Sequence, residues 1–90
     1  MKSFRTPAFR DCFQGLPASV QSSARKNYKL WIGDPGHPSL DFKKVAKEPP
    51  VWSVRIGIGW RALGVFKDDA IVWFWIGSHA QYDKLLNSRR

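Results

Sequence analysis

Between Thr6 and Leu16 the apolar residues Phe9, Cys12, Phe13 and Leu16 stand at i, i+3, i+4 and i+7, the spacing of one helical face. Thr6 is suited to cap that helix and Pro7 to occupy its first position, while Gly15 and Pro17 punctuate its end. From Pro17 the period resumes through Val20, Ala24, Tyr28 and Trp31, with Arg25, Lys26 and Lys29 mostly off that face, until GDPGHP stops the second helix. The period then shortens to two. SLDFKKV alternates Leu40, Phe42 and Lys44 against Asp41, Lys43 and Val45, and AKEPP reads as a loop. VWSVRIGIGWRALGVF reads as a hairpin. Trp52, Val54 and Ile56 alternate with Ser53, Arg55 and Gly57 before the bend; Arg61, Leu63 and Val65 alternate with Trp60, Ala62 and Gly64 after it. KDDA makes the next turn, and the unbroken IVWFWI suits a central strand covered on both faces. SHAQ has the Ser-x-x-Gln form of a capping box, which starts a short final helix.

These elements predict one α+β domain over residues 1–90: two N-terminal helices packed on a four-stranded antiparallel sheet, followed by a short C-terminal helix. Ninety residues leave no room for a second core, and 43% hydrophobic with 14% aromatic residues suits a compact globule rather than a disordered tail. The single cysteine, Cys12, has no internal disulfide partner and reads as packing. The opening has no apolar run suited to a signal peptide, and IVWFWI is far short of the roughly 20 residues of a spanning helix. A soluble cytoplasmic protein, with no membrane partner, is the default expectation.

Charge changes the picture. Fifteen Lys and Arg against seven Asp and Glu leave a net charge of +8, which a polyanionic partner would relieve. Nucleic acid leads that class and an acidic protein follows. If the hairpin bends about Ile58, Arg55 and Arg61 face each other across the ladder, on the side opposite Trp52, Val54 and Ile56. Like charges so placed destabilise a sheet, within roughly 0.2–1 kcal/mol, unless an anion lies between them. Lys43 or Lys44 could join them. A one-residue slip would part the pair, and two solvated arginines are the plainer reading.

At the end of IVWFWIGSHAQYDKLL, Ser78 as cap puts His79 at the first helical position and Tyr82 at i+3, on one side of a helix N-terminus that favours phosphate. The dipole disfavours imidazolium there, whereas a bound phosphate or Asp83 at i+4 favours it. The plainer alternative makes His79 a polar helix-start residue and Tyr82 a core aromatic with its hydroxyl at the rim. His37 and His79 are the only histidines, without a Cys or carboxylate cluster, so neither a metal nor a cofactor is expected. The five tryptophans read as packing more readily than as base-stacking platforms.

LPASVQSSARKNYKLW, HPSLDFKKV, WSVRIGIGWRALGV and IVWFWIGSHAQYDKLL together resemble, in order and over nearly the whole chain, the RelE/ParE superfamily of bacterial type II toxins. The resemblance implies a cognate antitoxin partner, assembly into a higher-order toxin–antitoxin complex, and growth arrest. For RelE-like members it implies metal-independent cleavage of mRNA in the ribosomal A site, giving 2′,3′-cyclic phosphate and 5′-hydroxyl ends. For ParE-like members it implies non-enzymatic inhibition of DNA gyrase; a degenerate relative would only bind antitoxin or RNA. Carried over by position, Arg61 matches the strand arginine on the scissile phosphate and Arg55 a basic neighbour. His79 matches a general acid or base, and Tyr82 an aromatic that orients a base or assists proton transfer. Lys43 and Lys44 correspond loosely to basic residues that contact RNA or the ribosome. The chain departs from the RelE pattern in having fewer basic residues after the last strand and no later C-terminal tyrosine.

Overall fold

The computed structural model describes residues 2–88. Strand β1 (Lys2–Arg5) is followed by helices α1 (Pro7–Gln14) and α2 (Ala18–Gly33). A 3₁₀ turn over Pro38–Leu40 leads to strands β2 (Lys43–Ala46), β3 (Val51–Gly57), β4 (Trp60–Lys67) and β5 (Ala70–Ser78), and helix α3 (His79–Ser88) follows. Thr6 caps α1 by accepting a hydrogen bond from the Phe9 amide, and Pro7 opens the helix, where its missing N–H costs nothing.

The sheet has five strands, in the order β1-β5-β4-β3-β2, and it is mixed, not the four-stranded antiparallel sheet that the sequence predicts. The additional strand is β1, paired in parallel with β5 from Lys2 opposite Ala70 to Arg5 opposite Trp73. Its sequence, KSFR, lacks apolar alternation because it is a short edge strand, and Lys and Arg there discourage pairing with other chains. The strand expected over SLDFKKV also starts later. Its first residues form the 3₁₀ turn, and Asp41 closes that turn in the left-handed region (φ 42°, ψ 48°).

The α1/α2 side of the sheet carries the larger core. Trp31, fully buried, meets Trp73 edge-on at 5.3 Å between ring centres, and Phe42 fills the space between Trp31, Trp52 and Phe66. Phe9, Val20 and Ala24 bury the predicted helix faces, whereas Tyr28 is exposed and shares a 2.6 Å hydrogen bond with Ser3 on β1. Gly64 admits the Trp73 ring, since a Cβ at position 64 would lie 2.7 Å from it. On the other side a smaller cluster joins Val51, Leu63 and Tyr82, the last supplied by α3.

The capping box forms as predicted. Gln81 N–H donates to Ser78 Oγ at 3.2 Å while the Ser78 amide donates to Gln81 Oε1 at 3.1 Å. No helix among the described residues is long and apolar enough to cross a membrane.

Candidate functional site

Arg55 and Arg61 do face each other across β3 and β4. The turn itself does not put them there. Gly57 pairs with Trp60, so continuing that register would set Arg55 against Ala62; a bulge at Ile56 shifts the ladder by one residue and restores the arginine pair. Asn27 on α2 holds the bulge, donating from Nδ2 to the carbonyls of Ile56 at 2.6 Å and Arg55 at 3.1 Å.

Alternation then decides which side chains share the arginine face. Lys43 pairs with Ser53, two residues before Arg55, so it stands on that face; Lys44 pairs with Trp52 and belongs to the opposite one, its ammonium 5.9 Å from the Trp52 ring centre. Gly77 lies opposite Arg61 on β5, where a Cβ would come within 2.7 Å of Gln81 Oε1 and closer still to the Trp75 ring.

The two arginines differ sharply in environment. The Arg61 side chain is 5% exposed, against 49% for Arg55. Arg61 Nε–H donates to Ser53 Oγ at 2.6 Å, Nη2 to the Asp41 carbonyl at 2.9 Å, and Nη1 to Asp41 Oδ2 at 3.3 Å. Below it lies the Tyr82 ring, with Cζ 5.3 Å from the ring centre. Such directed bonds are what make a buried guanidinium tolerable.

Asp41 is the member that sequence periodicity missed. Its Oδ2 lies 3.3 Å from Arg61, 3.4 Å from Lys43 and 3.9 Å from Arg55, so the chain itself supplies an anion to the facing arginines. Partial burial raises the Asp41 pKa, but the hydrogen bond and charge of Lys43, then the charges of Arg61 and Arg55, outweigh it and hold the carboxyl below its usual range. The signal available in sequence was small: Asp41 is the sole acidic residue between Asp34 and Glu48.

His79 completes the group from α3. Its amide donates to Gly59 O at 2.7 Å, tying the helix start to the hairpin tip. Its half-exposed ring lies 3.5 Å from Asp83 and 5.5 Å, centre to centre, from Tyr82. Tyr82 is buried and supports Arg61 and His79; it leaves no free face for a base to stack on. Exposed Lys43 and Arg55 therefore share a face with buried Arg61 and Ser53, and the Tyr82 ring links Arg61 to exposed His79. Among the described residues no three His, Cys, Asp or Glu side chains gather in a metal-binding arrangement.

Residues 18–84 match the family model described as the ParE-like toxin domain. No curated protein matches the chain in sequence. Among solved structures, the archaeal RelE of a RelE–RelB complex from Pyrococcus horikoshii OT3 superposes with a TM-score of 0.68 at 14% identity, over 89% of this chain and 96% of that one. A RelB–RelE complex from Methanococcus jannaschii gives 0.67 at 17% identity over 91% and 96%. A YoeB/ParE toxin from Agrobacterium tumefaciens gives 0.68 at 15% identity over 88% and 99%. At these identities the likeness is one of fold.

Proposed function

The chain belongs to the ParE-like toxin family, within the RelE/ParE superfamily of toxin–antitoxin toxins, and we propose that it acts as a ribosome-dependent, metal-independent mRNA endoribonuclease. The observation that supports this reading is the meeting of Lys43, Arg55 and Arg61 at Asp41 on one face of the sheet, with His79 linked to them through the Tyr82 ring. In the proposed reaction the ribose 2′-oxygen bonds to the adjacent phosphorus while the bond from phosphorus to the 5′-oxygen breaks. The 2′-hydroxyl loses a proton and the 5′-oxygen gains one, leaving a 2′,3′-cyclic phosphate and a 5′-hydroxyl. Negative charge grows on the non-bridging oxygens, where preorganised cations act most effectively. Arg55 and Lys43 meet those oxygens directly, Arg61 holds the field from beneath, and His79 moves the proton. Tyr82 keeps Arg61 and His79 in register.

Mapping transcript ends after a brief pulse of expression tests the proposal. Cuts positioned by codon support it, and intact mRNA rejects it. A second reading, inhibition of DNA gyrase without catalysis, draws support from Arg61 itself, because a guanidinium engaged by Ser53 and Asp41 could serve the fold alone. Intact transcripts with DNA damage favour that reading; intact transcripts without damage favour a relative that only binds its antitoxin or RNA.

The cognate antitoxin is proposed to lay an acidic segment across the same cationic face, as the net charge of +8 favours. Reversing the exposed Lys43 and Arg55 to Glu should then loosen the purified pair.

A further inference from the structure

We infer that Asp41 is a resident counter-ion: its carboxylate occupies the position of a phosphodiester oxygen in the free protein and must yield that position when nucleic acid binds. The inference rests on the reading of this face as a phosphate site, and names the residue that sets its affinity.

Its basis is a division of labour within one residue. The backbone of Asp41 is fixed, closing the 3₁₀ turn with its amide bonded to Pro38 O and its carbonyl accepting from Arg61 Nη2 at 2.9 Å. That carbonyl and Ser53 Oγ hold the guanidinium through two bonds that do not use the carboxylate, whose own bond to Nη1, at 3.3 Å, is the longest of the three. The carboxylate does something else. Oδ2 stands where three cations from β2, β3 and β4 converge, at 3.4, 3.9 and 3.3 Å, which is the place a non-bridging phosphate oxygen would take. The Asp41 side chain is 36% exposed, so rotation about its own bonds carries it towards solvent without disturbing the main-chain anchor. Among the described residues no other carboxylate pairs with Lys43, Arg55 or Arg61. One negative charge against three positive ones leaves the cluster cationic, able to attract a polyanion, while the best-coordinated position is already filled.

Asp41→Asn isolates the charge. Asparagine also tolerates the left-handed backbone, and the carbonyl bond to Arg61 remains. Asp68→Asn is the matched control, removing the same charge at another positive-φ aspartate (φ 57°) in the β4–β5 turn. The first probe is dimethyl phosphate, the anionic centre of an RNA linkage, titrated into the full chain while the arginine Nε–H resonances are followed. Asp41→Asn should lower its dissociation constant about fivefold at low salt, the upper end for an exposed ion pair, while Asp68→Asn changes it less than about twofold. The second probe is a single-stranded oligoribonucleotide with every 2′-hydroxyl methylated, which cannot cleave itself. Its slope of log affinity against log salt should steepen by about 0.7 in Asp41→Asn, the increment for one more phosphate neutralised.

Dimethyl phosphate binding in Asp41→Asn that equals the control, is weaker than wild type, or does not saturate overturns the inference. The two readings fail separately. Tighter dimethyl phosphate binding beside uncut transcripts rejects the nuclease and keeps the counter-ion; unchanged binding beside codon-positioned cuts does the reverse.

Discussion

Asn27 Nδ2 donates to Ile56 O at 2.6 Å, and this bond from α2 to the bulge of β3 holds the register that sets Arg55 opposite Arg61. Asn27→Ala should cost about 1–3 kcal/mol, as orphaned partly buried polar groups do, and weaken growth arrest. Asn27→Asp should be worse, because its carboxylate would face two carbonyl oxygens with no proton to offer. Urea unfolding of both variants checks this; an aspartate variant as stable as wild type would show that the clamp is idle.

Arg61 is held by directed bonds to three oxygens, which one ammonium cannot satisfy in the same geometry. Arg61→Lys should therefore lose about 1–3 kcal/mol of stability despite keeping its charge, with toxicity falling in parallel. Arg61→Ala, which also leaves Asp41 with fewer cations, should lose more. A lysine variant with wild-type melting and toxicity contradicts the account.

His79 makes its structural hydrogen bond through the main chain, to Gly59 O, and its ring is half-exposed. His79→Gln should thus shift stability by no more than about 0.5 kcal/mol. Cleavage should fall by about 10²–10⁴, the range for loss of a general acid or base. Transcript mapping paired with thermal melting separates the two effects, and undiminished cutting removes His79 from the chemistry.

Asp41 predicts an acid limb of stability. Its folded pKa is lowered: burial opposes ionisation, but the hydrogen bond and charge of Lys43 and the charges of Arg61 and Arg55 prevail. Ionised Asp41 therefore stabilises fully above the ordinary value near 3.8, and that contribution drains away as pH falls through the lower folded value. Lys43, Arg55 and Arg61 are the charged groups that face it. Wild type should melt above Asp41→Asn at pH 6, and the two curves should converge in acid. A constant gap down to pH 2 would assign the difference to something other than ionisation.

Much of this arrangement is legible in local sequence because local rules produce it. Thr6 with Pro7, and Ser78 with Gln81, mark helix starts through contacts no more than three residues apart. The Arg55–Arg61 pairing comes out as predicted but by another route: a turn at Ile58–Gly59 corrected by a bulge, held by a residue on a distant helix. Strand β1 carries no periodic signal, since it gains its place from the β5 edge and not from its own apolar face. Asp41 looks like one step in an alternating strand until its positive φ turns it towards residues fourteen and twenty positions away. Choosing Lys43 over Lys44 likewise requires the register with β3.

Ile58, fully solvent-exposed, sits at the tip of the β3–β4 hairpin, and its neighbour Gly59 is fastened to the His79 amide. The apex and the first turn of α3 consequently form one mechanical unit. A partner that gripped the tip from outside would pull on the backbone that carries the imidazole, so under the proposed chemistry docking and proton transfer would share a hinge.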